Sequence, residues 1–431
     1  MKLFGSMTVE NNSLKIGGVD CSYLVKEYGS PLYVVDEKLI KNICERYVKA
    51  FKVNERGNRV AYAGKAFLIT AMCRLIDKEN LCLDVVSGGE LYTAYKSNFP
   101  LEKVYFHGNN KTKDEVDMGI ELGVGRFVVD NDYEMELINE IAKKKNRIQK
   151  VILRVTPGIE AHTHEYIKTG QVDSKFGFTL LNDKVIDTVK KCIALPNIKL
   201  MGFHCHIGSQ IFETKPYVDE CEIMMKLIKK VKDELGYEIK ELDLGGGFGV
   251  YYSDGDRPKK IEEYCEKIID KVDEESKELQ IDVPKLTIEP GRSIIGNAGT
   301  TLYTVGAIKD IPGIRKYVSV DGGMSDNIRP SLYGAKYECA IANKVSEKPC
   351  ETVTIAGKCC ESGDILLKDI RLPEVQSGDI LAVFTTGAYG YSMASNYNKI
   401  PKPAVVFVED GKNVLKCRRE SYEDIIRNEL F

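Results

Sequence analysis

Val60-Ala61-Tyr62-Ala63-Gly64-Lys65-Ala66 is the stretch from which the fold is read. Its first residues are apolar and include a β-branched and an aromatic side chain, the composition of a short buried strand. Gly64 interrupts that pattern, and a helix-forming segment begins near Ala66. Lys65 therefore stands at the C-terminal mouth of a strand. Two readings of it are open: a solvated loop lysine, as most lysines are, or a lysine held in a pocket and nucleophilic enough for a Schiff base.

Working outward, seven more strand-like segments follow: Cys82–Val86, Val104–His107, Phe127–Asp130, Val151–Val155, Met201–Ile207, Glu241–Leu244 and Thr287–Glu289. Helical patterns lie between them, among them Leu91–Ser97, Glu115–Leu122, Tyr133–Lys144 and Tyr217–Leu235. A further helix, about Glu37 to Val53, precedes the first strand. Eight β-then-α units over about 240 residues predict a (β/α)8 TIM barrel. A doubly wound open sheet is the other reading, but it does not need eight units. After Gly291 the texture changes to short β-rich runs, Leu302–Ile308, Tyr317–Val320, Thr352–Ala356, Ile380–Phe384 and Ala404–Val408, separated by turn residues. They predict a C-terminal antiparallel β domain. The expected division is 1–35 as an N-terminal segment joining the β domain, 36–291 as the barrel and 292–431 as the β domain.

Bulk properties exclude several classes of function. The chain has 431 residues and a net charge of −3, so no basic surface points to nucleic acid or to an anionic membrane. No apolar run approaches the roughly 18 residues that span a bilayer, and Met1–Ser13 holds no apolar signal core. Thirteen cysteines without a Cys-x-x-Cys pair suit a reducing cytoplasm. No ligand spacing recurs that would predict zinc, and no metal is expected.

In such a barrel the chemistry sits where strands end. Those ends carry Lys65, Asp84, His107, Arg154, His204, His206, Ser209, Asp243 and Glu289. Gly245-Gly246-Gly247-Phe248-Gly249 follows the seventh strand and Pro290-Gly291-Arg292 the eighth. Glycines there either serve packing alone or let backbone N–H groups close around a phosphate. His204-Cys205-His206 puts two imidazoles on one face of a strand, as a metal pair would, but no third ligand has a compelling position. His206 stacked on a flat aromatic cofactor fits better, because Gly208 and Ser209 follow it. A Schiff-base lysine, a phosphate cradle and a stacking imidazole together specify pyridoxal 5'-phosphate. Glu289 is then either a surface carboxylate or the group that keeps the pyridine nitrogen protonated.

These motifs resemble the diaminopimelate decarboxylases, fold-type III pyridoxal-phosphate enzymes with an alanine-racemase-like barrel. The resemblance runs from about Pro31 to Tyr397. It rests on Tyr62-Ala-Gly-Lys65, Phe106-His-Gly-Asn-Asn-Lys111, Asp173-Ser-Lys-Phe-Gly-Phe178, His206-Ile-Gly-Ser209, Gly245-Gly-Gly247 and Glu289-Pro-Gly-Arg292. Arg329-Pro-Ser-Leu-Tyr333, Cys360-Glu-Ser-Gly-Asp364 and Gly387-Ala-Tyr389 extend it into the second domain. It implies that Lys65 carries the cofactor covalently, that His206 stacks on the ring and that Glu289 meets its nitrogen. Ser209, Gly246, Gly247, Pro290, Gly291 and Arg292 are implied around the phosphate. Arg292, Arg329 and Tyr333 are implied as ligands of substrate carboxylate, and Tyr389 as a contact of cofactor and substrate. Cys360 is implied as the proton donor, and Glu361 as the reader of the distal amino group. The implied reaction is decarboxylation of meso-2,6-diaminopimelate to L-lysine, in a homodimer whose sites share residues across subunits. Ornithine and arginine decarboxylases of the same fold are the alternative. Their substrates lack a distal carboxylate, and they tend to carry aspartate after the cysteine, where this chain has Glu361.

Overall fold

The computed structural model describes residues 2–158 and 174–430. The chain divides into two compact units. One comprises Ile43–Val250 and Arg257–Ser293; the other comprises Met1–Asn42, Tyr251–Asp256 and Ile294–Phe431.

The first unit is a barrel of eight parallel strands: β1 (Arg59–Ala63), β2 (Cys82–Val85), β3 (Val104–Phe106), β4 (Arg126–Val129), β5 (Gln149–Thr156), β6 (Ile198–His204), β7 (Glu241–Asp243) and β8 (Lys285–Ile288). The ring closes where Thr287 and Ile288 of β8 pair with Arg59 and Val60 of β1. Every strand expected from the sequence is present, most within a few residues of the expected ends. Ala61, Tyr105, Val128 and Ile152, from four different strands, meet in one buried cluster inside the ring. A buried charge cluster occupies the strand-start end. There Glu241 accepts from Arg126 Nε at 2.8 Å and Nη2 at 2.7 Å, and from Arg59 Nη1 at 3.0 Å.

Local chemistry sets the helix ends. The Thr112 hydroxyl accepts the Glu115 N–H while the Glu115 carboxylate accepts the Thr112 N–H, a reciprocal cap that starts Lys113–Leu122. Gly123, at φ +78°, ends that helix. The first long helix is Glu37–Ala50, shorter than the expected run to Val53. Lys52 turns left-handed at φ +53° and a separate turn, Val53–Arg56, follows. A two-residue strand, Phe178–Thr179, pairs in parallel with Val155–Thr156; two residues are too few for a periodic signal. Asp173, part of the resemblance, lies outside the described residues.

The second unit is built on a sheet ordered Ile365–Leu372, Glu351–Ala356, Arg315–Val320, Gly299–Ile311, Leu32–Asp36, Ala404–Glu409, Lys412–Cys417. Ile380–Val383 pairs along Gly299–Ile311. All five expected β runs are strands. The sheet is mixed, not purely antiparallel as expected: Leu32–Asp36 runs parallel to Ala404–Glu409, and Arg315–Val320 parallel to Glu351–Ala356. Parallel neighbours need long connections. The first pair is joined through the whole barrel, a link that turn residues cannot signal. Among the described residues no helix is long and apolar enough to cross a membrane.

Candidate active site

The polar strand ends converge at one mouth of the barrel. Lys65 lies on the single turn Gly64–Ala66 directly after β1 and is exposed. Its charge is felt by Asp84, Glu90 and His206. The Pro290 carbonyl accepts the Ala63 N–H at 3.2 Å, so the loop after β8 is fastened to the strand that delivers the lysine.

Three loops interlock here through their backbones. The Glu289 N–H donates to the Gly245 carbonyl at 2.6 Å, and the Gly246 N–H donates to His206 Nδ1 at 3.3 Å. A Cβ on Gly246 would sit 2.1 Å from the Glu289 carbonyl oxygen; one on Gly247, at φ +99°, would sit 2.2 Å from that of Gly208. Only glycine fits either place. Arg292 is buried and donates to the Ser209 hydroxyl from Nη2 at 3.0 Å and Nε at 3.3 Å. His206 is half-buried, and burial, then the Lys65 charge, hold its pKa well below the ordinary imidazole value.

Glu289 is buried at 6% exposure and faces two imidazoles. His107 Nε2 lies 2.7 Å from Oε1, and His204 Nε2 lies 3.2 Å from Oε2. Burial favours the neutral acid. His107, then His204, outweigh that and hold the carboxyl well below its usual range. Burial pushes His204 down to about 3, so it is neutral and donates its Nε2 hydrogen. Asp84 and Asp243 are buried alongside, and burial raises both their pKa values. The sequence alone gives His107 no role, and gives His204 only that of half a metal pair with His206. The signal available was two histidines at the ends of otherwise apolar strands. His204 Nε2 lies against Glu289 Oε2, whereas His206 Nδ1 accepts the Gly246 N–H. The nearest metal-type donor set among the described residues is His107, His204 and Glu289, with ligand atoms within 4.8 Å of one another.

The remaining expected residues lie in the second unit. Arg329 opens the short helix Arg329–Tyr333, and its guanidinium lies 5.2 Å from the Tyr333 ring centre and 5.5 Å from that of Tyr389. Tyr389 adopts φ +60°, a left-handed conformation rare for a side chain of this size. Ser331 of the same helix donates to the Gly363 carbonyl at 2.8 Å, which ties the helix to the Cys360–Asp364 loop. Asp364 staples that loop: its carboxylate accepts the Cys359 N–H at 2.8 Å and the Met324 N–H at 2.6 Å. Cys359 is buried, whereas Cys360 and Glu361 are exposed. The Cys360 N–H donates to Asn398 Oδ1 at 2.8 Å, and Glu361 Oε1 accepts the Gly363 N–H at 3.2 Å.

Comparison with known proteins identifies the family. Residues 37–296 match the family model described as the pyridoxal binding domain of pyridoxal-dependent decarboxylases. The chain is 53% identical to the diaminopimelate decarboxylase of Bacillus subtilis, over 98% of its own length and 96% of the relative's. It is 51% identical to that of Halalkalibacterium halodurans, over 97% and 95%. The crystal structure of the M. jannaschii diaminopimelate decarboxylase in complex with L-lysine superposes with a TM-score of 0.93. It is 38% identical and covers 99% of this chain and 98% of its own. Likeness of that extent spans both units, and with it the chain belongs to the diaminopimelate decarboxylase family.

Proposed function

We propose that the chain decarboxylates meso-2,6-diaminopimelate to L-lysine with release of carbon dioxide. In this reading the cofactor is pyridoxal 5'-phosphate, bound by the barrel of residues 36–291. The β domain of residues 292–431, joined by residues 1–35, adds groups that meet the substrate. The observation that carries the cofactor assignment is Glu289, a buried carboxylate held ionised at the barrel mouth that bears Lys65. Such a group fits a protonated pyridine nitrogen. The interlocked glycines and the buried Arg292 cation on Ser209 fit a phosphate ester.

When bound, pyridoxal phosphate supplies the electron sink for the pair left behind as carbon dioxide departs. The protein's own groups do the rest. Lys65 anchors the cofactor through Nζ and holds it in register with the mouth. His206 packs on the ring, with its Nδ1 already engaged by Gly246. Ser209, Gly246, Gly247, Pro290, Gly291 and Arg292 surround the phosphate. Arg292, Arg329 and Tyr333 bind substrate carboxylate. Arg329 Nε is buried with no hydrogen-bond partner among the described residues, a donor suited to that ligand. Tyr389 contacts cofactor and substrate, Cys360 returns a proton to carbon, and Glu361 binds the distal ammonium. A homodimer is the active unit in this reading, with Cys360 and Glu361 serving the partner's site; both are exposed in the single chain. The thirteen cysteines are all free thiols, which supports a reducing, cytoplasmic setting.

The test is carbon dioxide release from meso-diaminopimelate, ornithine, arginine and lysine, measured in parallel on purified protein reconstituted with pyridoxal phosphate. Release from diaminopimelate at least about a hundredfold faster than from the others is expected. Preference for ornithine or arginine would overturn the substrate assignment.

A further inference from the structure

Glu289 lies in a built environment of its own. The carboxylate is buried, and a buried carboxyl group takes up a proton unless donors oppose it. An imidazole stands at each oxygen: His107 Nε2 lies 2.7 Å from Oε1, close but outside hydrogen-bond alignment, and His204 Nε2 donates to Oε2 at 3.2 Å. The two rings are themselves fixed edge to face, 4.8 Å apart at 75°.

Both histidines are anchored from behind. The His107 N–H donates to the Val85 carbonyl at 2.7 Å. The loop beyond it is locked by the buried Lys111, whose Nζ donates to the Gly108 carbonyl at 3.0 Å, the Val128 carbonyl at 2.8 Å and Glu134 Oε1 at 2.7 Å. His204 is the last residue of β6, held in register with Arg154 of β5 and Asp243 of β7. The other ionisable groups around the carboxylate are Asp84, 3.8 Å from His107 Nε2, together with Asp243, Arg154, His206 and Lys65.

We propose that His107 and His204 are positioning residues that clamp Glu289, one imidazole on each carboxylate oxygen, keeping it an anion of fixed orientation for the ring nitrogen of the cofactor. This rests on the assignment of Glu289 made under the proposed function. Each oxygen has two acceptor sites, so one imidazole apiece leaves a free lone pair for the incoming N–H. A carboxylate that accepts a hydrogen bond from one imidazole and lies 2.7 Å from the Nε2 of a second is also a weaker base. The shared proton therefore stays on the ring nitrogen and does not pass to Glu289.

The experiment titrates pyridoxal 5'-phosphate into the apoprotein from pH 5.5 to 8.5, followed by fluorescence, for the parent and for His107→Phe, His204→Phe, His107→Gln and His204→Gln. Affinities are taken as ratios to the parent at each pH, which cancels the cofactor's own ionisation. Phenylalanine keeps the ring and loses the donor; glutamine keeps an N–H. In the phenylalanine variants the ratio should fall about tenfold or more between pH 8 and pH 6, because Glu289 then takes up a proton. The glutamine variants should stay within about threefold of the parent throughout. A phenylalanine ratio that is reduced but independent of pH would mean packing alone and would overturn the clamp. So would a glutamine variant as pH-sensitive as its phenylalanine counterpart. If one phenylalanine variant fails to fold by circular dichroism, its partner histidine carries the same expectation independently. Absence of binding by the parent at every pH is a different failure: it overturns the cofactor reading, and the clamp with it.

Discussion

The carbonyl of Pro290 accepts the backbone N–H of Ala63, two residues before Lys65, at 3.2 Å. This bond joins the loop after the last barrel strand to the end of the first. It makes the position of the lysine depend on the conformation of Glu289-Pro290-Gly291.

Gly291→Ala tests that dependence. A Cβ at this position would lie 2.8 Å from the Ala63 Cβ and 3.1 Å from both the Ala63 carbonyl oxygen and the Ala66 Cβ. None of these atoms ends a flexible side chain, so the turn bearing Lys65 must shift. Affinity for pyridoxal phosphate should drop about tenfold or more with the circular dichroism spectrum unchanged. Borohydride reduction followed by mass spectrometry should show less cofactor retained on Lys65. Parent-like affinity would show that the turn tolerates the methyl group.

Glu241→Gln concerns the opposite end of the barrel. Burial raises the Glu241 pKa, but Arg126 and then Arg59 bring it down to about 2. The glutamine removes the negative charge that both arginines share, at a cost of about 3–5 kcal/mol. The melting temperature should fall by roughly 6 °C or more, while affinity for pyridoxal phosphate stays within about twofold. A melting temperature unchanged near pH 7 would mean that the cluster is neutral to stability.

Glu220→Gln should stabilise the protein at alkaline pH. Glu220 lies on the helix Lys215–Leu235, fully buried beside Cys205, and burial raises its pKa from 4.5 to about 8. The fold therefore holds a proton that the unfolded chain releases above about pH 4.5. This contribution is complete below that pH and is lost as the pH rises through 8, by about 1.4 kcal/mol per unit at its steepest. Thermal melts at pH 5 and pH 8 should show a flatter pH slope for the variant and a higher melting temperature than the parent at pH 8. Parallel slopes for the two proteins would mean that Glu220 is ionised in the fold.

Mixing Lys65→Ala with Cys360→Ala tests the shared site. Neither variant alone should turn over well. If lysine and cysteine at each site come from different chains, a heterodimer has one site with both defects and one with none. Mixing under conditions that exchange subunits should then restore activity, up to about a quarter of the parent's. Exchange is verified with a tagged subunit. Exchange without recovery would mean that each site is built from a single chain.

The sequence by itself determined the eightfold alternation, the mouth residues and the family resemblance. Strand composition, helix period and glycine punctuation act over a few residues, so Val60–Gly64 and Gly245–Gly247 are legible without any neighbour. The tertiary structure decided which of those mouth residues meet. His107 and His204 end different strands, and only closure of the ring turns both onto Glu289, which follows a third. The same holds for Glu241 with Arg126 and Arg59, and for Leu32–Asp36, whose parallel neighbour Ala404–Glu409 lies across the whole barrel sequence. In each case the partners are far apart in the chain and are set by strand register and barrel closure. Those are properties of the assembled sheet, and no local stretch of residues encodes them.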